Sequence, residues 1–286
     1  MTLSGYAVDL GGTKIAAALI EGGAVTARLQ RATDAGADVA AQVGHMGELL
    51  AQLGYRHGAP LGVAVTGRVD RQGNWHAVNT GTLSAISAAP LGQMLADAFG
   101  PRTRALNDAA SAALAEARIG AGQGVGNFAY LTVSTGVGGG LVLGGRLVES
   151  DTGLAGHVGF ATTRLSDALC GSGRTGTVES VAGGRAIASA AGLPDARAVF
   201  ESGAHAAVIA RAAGAVAGLI GDLTAILGLD RVAVGGSIGL ADGFLPQVIA
   251  ALQDEPALFR PEVVPAALGQ DSGLFGALIA AQEGRG

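Results

Sequence analysis

Apolar and polar positions divide the chain into two halves that follow the same plan. In the first, three short apolar runs, Ala7–Asp9, Ile15–Leu19 and Gly23–Leu29, are separated by turns at Gly11-Gly12 and Gly22-Gly23. Short runs punctuated by paired glycines predict a three-stranded meander. Asp38–Leu53 then places Val39, Val43, Met46, Leu50 and Leu53 three or four residues apart, which predicts a helix with one apolar stripe. Leu61–Thr66 reads as a buried strand ending at Thr66-Gly67, and Pro90–Phe99 as a short helix with proline in its first turn. Ala105-Leu106 leads into Asn107-Asp108 and an alanine-rich helix, Ala109–Ile119.

The second half repeats this order. Phe128–Val133, Gly139–Leu143 and Arg146–Val148 are strands, again with a double glycine at Gly144-Gly145. Helices follow from about Ser180, including the long apolar Ala206–Leu227. Arg231–Val234 is a strand ending at Gly235-Gly236-Ser237, followed by helices at Leu245–Leu252 and Ser272–Gln282. Gly120–Gly126 reads as a flexible connector.

Each half carries a glycine-rich break directly after its first strand. Asp9-Leu-Gly-Gly-Thr-Lys14 is one, and Ser134-Thr-Gly-Val-Gly-Gly-Gly140 is the other. Glycine lets the backbone approach an anion closely and turn successive N–H groups toward it. Thr13, Ser134 and Thr135 add hydroxyls beside those amides. Two such loops predict a grip on one polyphosphate, and hence a nucleotide-dependent phosphotransferase. The loop is not of the Walker type, because Thr13 rather than glycine precedes Lys14, the only lysine in the chain.

Composition narrows the partners. The 286 residues are 49% hydrophobic and 14% charged, with 49 glycines and a formal net charge of −5. With no basic stretch, nucleic acid is not expected as a partner. No uninterrupted apolar run reaches the roughly 18 residues that a membrane helix needs, and no signal peptide is visible. The single cysteine, Cys170, rules out an internal disulfide and fits a reducing compartment, so a cytoplasmic location is expected.

Two acids stand out by position. Asp108 follows Asn107 at a strand-to-helix junction, where it caps the helix or, within reach of an alcohol, takes its proton as a phosphoryl group arrives. Asp9 closes a strand before the first glycine loop. It is either a turn-stabilising side chain or a ligand, through water, of the Mg²⁺ that travels with ATP.

The ordered set of Asp9–Lys14, Thr66-Gly67, Asn107-Asp108, Ser134–Gly140, Gly153-Leu-Ala-Gly-His-Val-Gly159, Cys170–Glu179 and Gly235-Gly236-Ser237 resembles the ROK family of sugar kinases and repressors over nearly the whole chain. The resemblance implies an α/β, actin-like ATPase (ribonuclease H-like) fold of two lobes around a central cleft. Residues 1–105, joined by the closing helix 272–286, would form the smaller lobe, and 106–271 the larger. It implies ATP and Mg²⁺ as cofactors, Asp108 as catalytic base, and a homodimer.

On the nucleotide, the resemblance implies Asp9, Gly11, Gly12, Thr13, Lys14, Thr135, Gly136, Gly138, Gly235 and Gly236. On the sugar, it implies Asn107, His157 and Glu179, with Gly67 and Thr82 nearby. Leu106-Asn-Asp-Ala109, Thr132–Gly140, Val234–Gly243 and His157 are most similar to bacterial N-acetylmannosamine kinases, implying phosphorylation of that sugar at its 6-hydroxyl. A kinase for glucose or N-acetylglucosamine and a weakly catalytic sugar sensor are the alternatives. The first core strand begins near Tyr6, which argues against the DNA-binding region of repressor members.

One motif departs from the family. Many members bind a structural zinc with a histidine and three cysteines. Here Cys170-Gly-Ser-Gly-Arg-Thr-Gly-Thr-Val-Glu179 keeps the spacing but places Ser172 and Thr177 at two thiol positions, and Phe160 stands at the histidine's. No structural zinc is expected.

Overall fold

Paired double-glycine hairpins set the first strands of two sheets built to one plan. The computed structural model describes residues 3–78, 83 and 85–284, and its chain forms two compact units. The first comprises residues 1–115, 149–155 and 271–286, and the second residues 116–148 and 156–270.

In the first unit, β1 (Gly5–Leu10), β2 (Lys14–Glu21) and β3 (Ala24–Ala32) form an antiparallel meander. Gly22 and Gly23, with φ of +63° and +84°, make the tight hairpin that glycine favours. β4 (Leu61–Val65) and β7 (Thr103–Asn107) extend the sheet parallel to β1, giving the order β3-β2-β1-β4-β7. Every residue of β4 is buried, as expected for an inner parallel strand.

Helix α1 (Val39–Gln52) is capped by Asp38, whose carboxylate accepts the Ala41 N–H at 2.9 Å. Its Val43, Met46, Leu49 and Leu50 join β1, β4 and Trp75 in one core. Each such side chain contributes about 1.5–3 kcal/mol by leaving water. Helix α2 (Leu91–Phe99) packs into the same core, with Pro90 just outside its first turn.

A short hairpin of β5 (Arg68–Val69) and β6 (Trp75–His76), which no apolar pattern announces, forms a separate two-stranded sheet. Helix α3 (Asp108–Ile119) begins at Asp108, one residue earlier than expected.

The second unit repeats the topology. β8 (Phe128–Val133), β9 (Val137–Leu143) and β10 (Arg146–Leu147) form an antiparallel meander, and β11 (Arg231–Gly235) and β12 (Glu262–Pro265) run parallel to β8. The order β10-β9-β8-β11-β12 mirrors that of the first sheet. Gly144 and Gly145, at φ of +56° and +75°, repeat the first unit's hairpin geometry. Short helices α4 (Glu179–Ala182), α5 (Gly184–Ala191) and α6 (Ala196–Ser202) precede the long α7 (Ala206–Leu227). Helices α8 (Gly236–Gly239) and α9 (Phe244–Leu252) follow β11.

Helix α7 is long and apolar enough by composition to cross a membrane, with a mean hydropathy of 1.6 over its most apolar window. Half of that window is buried in the unit, where Val216, Leu219 and Ile220 pack with Val248 and Leu252 of α9. Its apolarity therefore serves a protein core.

Residues 120–126 are not a flexible connector. The buried Glu116 carboxylate accepts the Ala121 N–H at 2.8 Å, and Arg231 donates to the Ala121 carbonyl at 2.9 Å. The closing helix α10 (Ser272–Glu283) belongs to the first unit.

Candidate active site

The registers of the two sheets determine which sequence motifs meet. In the first unit, Leu10, Val65 and Asn107 stand side by side at the C-terminal ends of three parallel strands. The segments that follow them, Gly11–Lys14, Thr66-Gly67 and Asp108, therefore emerge along one edge. That edge is where open α/β sheets bind ligands.

Gly11, Gly12 and Thr13 make a tight loop: the Gly11 N–H donates to the Lys14 carbonyl at 3.0 Å, and Thr33 Oγ1 donates to the Gly11 carbonyl at 2.8 Å. Thr13 and Lys14 are exposed. Asn107 links three parts of the edge. Its Nδ2 donates to the Gly67 carbonyl at 2.7 Å and to Asp108 Oδ1 at 2.9 Å, while its Oδ1 caps α3 by accepting the Ala110 N–H at 3.0 Å. Capping and site-building thus belong to the same side chain. Gly67 has φ of +93°, and a Cβ there would strike the His76 carbonyl, so the position requires glycine.

Asp9 bears on the ionisation of Asp108. Burial pushes the Asp108 carboxyl up to about 7, and the like charge of Asp9 adds to the shift. The Ala109 amide and Asn107 side chain act against it. Asp108 is enclosed by protein yet keeps partial access to solvent. Burial also raises Asp9, opposed by the charges of Lys14 and Arg28.

Motif reading missed Arg28. It lies on β3, forms an ion pair with Asp271 and faces Asp9 electrostatically. Its partner is 243 residues away, and no local pattern marks the pair. Gly273, in the first turn of α10, comes against the Asp9 carboxylate: a Cβ there would stand 3.5 Å from Oδ2.

In the second unit, two sugar-side candidates converge on the start of β9. Glu179, the first residue of α4, accepts the Val137 N–H at 3.1 Å, and its carboxylate lies where a Cβ on Gly136 would go. Burial raises its pKa, against the Val137 hydrogen bond and Arg185. His157 sits on a turn that packs on β9 through Gly156, whose Cβ would stand 3.0 Å from the Gly139 carbonyl, and Gly159, whose Cβ would strike the Val137 carbonyl. Its ring stacks on Phe160 at 6.0 Å, and both ring nitrogens are withdrawn from solvent.

The second glycine loop is tied to Gly235-Gly236 by Ser134 Oγ and Ser237 Oγ, 3.0 Å apart. The amides of Gly184 and Arg185 at the start of α5 donate to the Ser134 and Thr135 carbonyls at 2.8 and 3.3 Å. Thr135 is exposed, and Gly138 lies on β9 opposite Thr132. A Cβ on Gly235 would come 2.8 Å from the Tyr130 hydroxyl, so β11 ends in bare backbone. Thr82 lies outside the described residues.

The donors around Cys170 do not fit zinc. Cys170 Sγ lies 3.0 Å from Ser172 Oγ, and the fully buried Thr177 uses its hydroxyl to accept the Ser180 N–H at 3.2 Å. A closed tetrahedral site needs four nitrogen, sulfur or carboxylate donors. Among the described residues, no group of three His, Cys, Asp or Glu side chains could hold a metal ion. Backbone bonds order the loop instead, from Thr163 N–H to Gly176 and from Cys170 N–H to Arg174, both at 2.8 Å. Treatment with a zinc-selective chelator is expected to leave the melting temperature unchanged. One zinc per chain by elemental analysis would contradict this.

The ROK family profile matches residues 5–283. The chain belongs to the ROK family. Among curated ROK relatives, it is 39% identical over 284 residues to an N-acetylmannosamine kinase of Haemophilus influenzae (strain PittGG), covering 95% of this chain and 93% of that protein. A ROK hexokinase from Thermus thermophilus superposes with a TM-score of 0.80 at 31% identity, covering 98% of this chain and 99% of the other. A ROK glucokinase from Streptomyces griseus, solved with glucose and AMPPNP, gives 0.80 at 25% identity with the same coverage. The duplicated sheets are thus the actin-like ATPase fold of ROK sugar kinases.

Proposed function

We propose that this ROK protein transfers the γ-phosphoryl group of ATP to the 6-hydroxyl of N-acetylmannosamine, with Asp108 as the base. The reading rests on the Asn107-Asp108 pair, an acid poised near neutrality at the C-terminal edge of a parallel sheet. A base whose pKa lies near the working pH combines adequate ionisation with adequate basicity. The choice of sugar rests on the similarity to N-acetylmannosamine kinases.

Asp108 would accept the 6-hydroxyl proton as the oxygen–phosphorus bond forms and the bond between the γ-phosphorus and the β–γ bridging oxygen breaks, releasing ADP. Asn107, Gly67, His157 and Glu179 would hold the sugar, and Thr82 remains part of that proposed set. Gly11, Gly12, Thr13, Lys14, Thr135, Gly136 and Gly138 would hold the phosphates by backbone and side-chain donors. Gly235 and Gly236 would lie against the adenosine. Asp9, a hard oxygen donor beside a second carboxyl, suits Mg²⁺, which when bound with ATP neutralises phosphate charge. A cytoplasmic homodimer completes the reading, supported by family resemblance.

A coupled ADP-release assay over N-acetylmannosamine, N-acetylglucosamine, glucose and mannose tests it. N-acetylmannosamine is expected to give the highest kcat/KM. A preference for glucose or N-acetylglucosamine would reassign the substrate, and no turnover of any sugar would remove the kinase reading.

A further inference from the structure

The hairpin β5–β6 carries no residue of the proposed machinery, yet Gly67 and residues 149–155 both pack on it. Its turn is organised by one side chain. Asp70 Oδ1 accepts the Gln72 and Asn74 N–H groups at 3.0 and 2.8 Å, and Oδ2 contacts Asn74 Nδ2 at 3.0 Å and His76 Nε2 at 2.9 Å. The Asp70 side chain is 11% exposed and that of His76 19%. Burial alone would raise the Asp70 carboxyl, but the bonds from His76 and Asn74 outweigh it and hold the group at about 2. At neutral pH it is therefore ionised and acceptor-only.

On one side, the hairpin fixes Gly67. The fully buried Trp75 donates from Nε1 to the Thr66 carbonyl at 2.8 Å, and the His76 carbonyl packs where a Gly67 Cβ would go. The Gly67 carbonyl then receives Asn107 Nδ2, which also bonds Asp108. On the other side, the hairpin holds residues 149–155. Arg68 donates to the Thr152 carbonyl at 2.5 Å, Arg71 pairs with Asp151 at 2.8 Å, and a Gly153 Cβ would strike the Val69 carbonyl. Two residues after that segment comes His157.

We infer that Asp70, with His76, is a positioning residue for the sugar side of the site, acting through Gly67–Asn107. The inference rests on the assignment of Asn107 to the sugar. Among the described residues, the hydrogen bonds of Asp70 go to Gln72, Gly73, Asn74 and His76 and to no nucleotide-side residue, so its loss should affect the two substrates unequally.

Steady-state kinetics with N-acetylmannosamine and MgATP test this. Asp70→Ala is expected to raise KM for the sugar roughly tenfold or more, since small displacements of positioning groups cost up to about 100-fold. KM for MgATP should stay within about twofold. His76→Ala, which leaves the Asp70-stabilised turn in place, should move the sugar KM in the same direction by less and serves if Asp70→Ala does not fold. In the double variant, the two effects should be less than additive in log KM. A sugar KM unchanged in both single variants, or equal rises in both KM values, would overturn the inference. Asn107→Ala separates the underlying reading. If it leaves the sugar KM unchanged, the sugar-site assignment fails. If it raises that KM while Asp70→Ala does not, only the role of Asp70 falls.

Discussion

Asp108→Asn is expected to lose at least ~10²-fold in kcat while melting at a higher temperature than the parent at pH 8. The loss follows from removing a general base, which contributes about 10²- to 10⁴-fold. The gain in stability follows from linkage. The carboxyl has a pKa of about 7 when folded, against 3.8 as its ordinary value. Between those values the folded state keeps a proton that the unfolded state has released, so folding stability falls as pH rises from about 4 through about 7.

Above pH 7 the folded protein carries a poorly solvated charge that the amide does not. The difference in pKa sets a ceiling of ~4 kcal/mol, and partial solvent access lowers it, leaving a gain of ~1–4 kcal/mol. The amide oxygen of the variant can still accept the Ala109 N–H that Asp108 Oδ1 accepts at 2.7 Å. Thermal melts of both proteins at pH 4 and pH 8 check this: the curves should nearly coincide at pH 4 and separate at pH 8. The parent's kcat/KM should fall below about pH 7 as the base takes its proton, and the variant's residual activity should lack that limb. A variant with normal turnover, or one less stable than the parent at pH 8, would contradict the assignment.

Gly276→Ala is expected to be among the most destabilising single substitutions in the chain, at ~3 kcal/mol or more. Alanine is the better helix former by about 1 kcal/mol, so propensity alone predicts a gain. Packing decides otherwise. Helix α10 lies so close to α3 that a Cβ on Gly276 would fall on the Ser111 backbone carbonyl, and no rotamer moves a backbone atom away. The same helix leaves no room at Gly62 of β4, where a Cβ would strike Ala277.

Gly44 in α1 has nothing within 4 Å of its would-be Cβ. There the helix preference acts unopposed, and Gly44→Ala should gain ~0.5–1 kcal/mol. Urea denaturation of the two variants should therefore move the midpoint in opposite directions. Similar midpoints would mean that the α3–α10 contact is looser than described. Since α3 starts at Asp108, Gly276→Ala should also depress turnover in whatever fraction folds.

Both meanders were legible in the sequence because short apolar runs and paired glycines dictate strand and hairpin together, as at Gly22-Gly23 and Gly144-Gly145. Helix α1 was legible from its stripe. The hairpin β5–β6 was not, since two-residue strands show no alternation. β12 was hidden among Pro256, Pro261 and Pro265, residues that an edge strand tolerates but that read as loop.

The candidate site was partly legible. Asn107-Asp108 and the glycine loops are contiguous motifs at strand ends, so local pattern reveals them. The Arg28–Asp271 pair and the grip of Arg68 on Thr152 join residues 243 and 84 positions apart, and only the folded chain brings them together. The residues at 120–126 misled for the opposite reason: their glycines suggest freedom, while the distant Arg231 and buried Glu116 hold them.

The most direct test is a crystal structure of the protein with N-acetylmannosamine and a non-hydrolysable ATP analogue. The sugar's 6-hydroxyl is expected within about 2.6–3.2 Å of the Asp108 carboxylate and facing the γ-phosphorus. A sugar bound with that hydroxyl out of reach of Asp108, in a complex holding both ligands, would contradict the proposed chemistry.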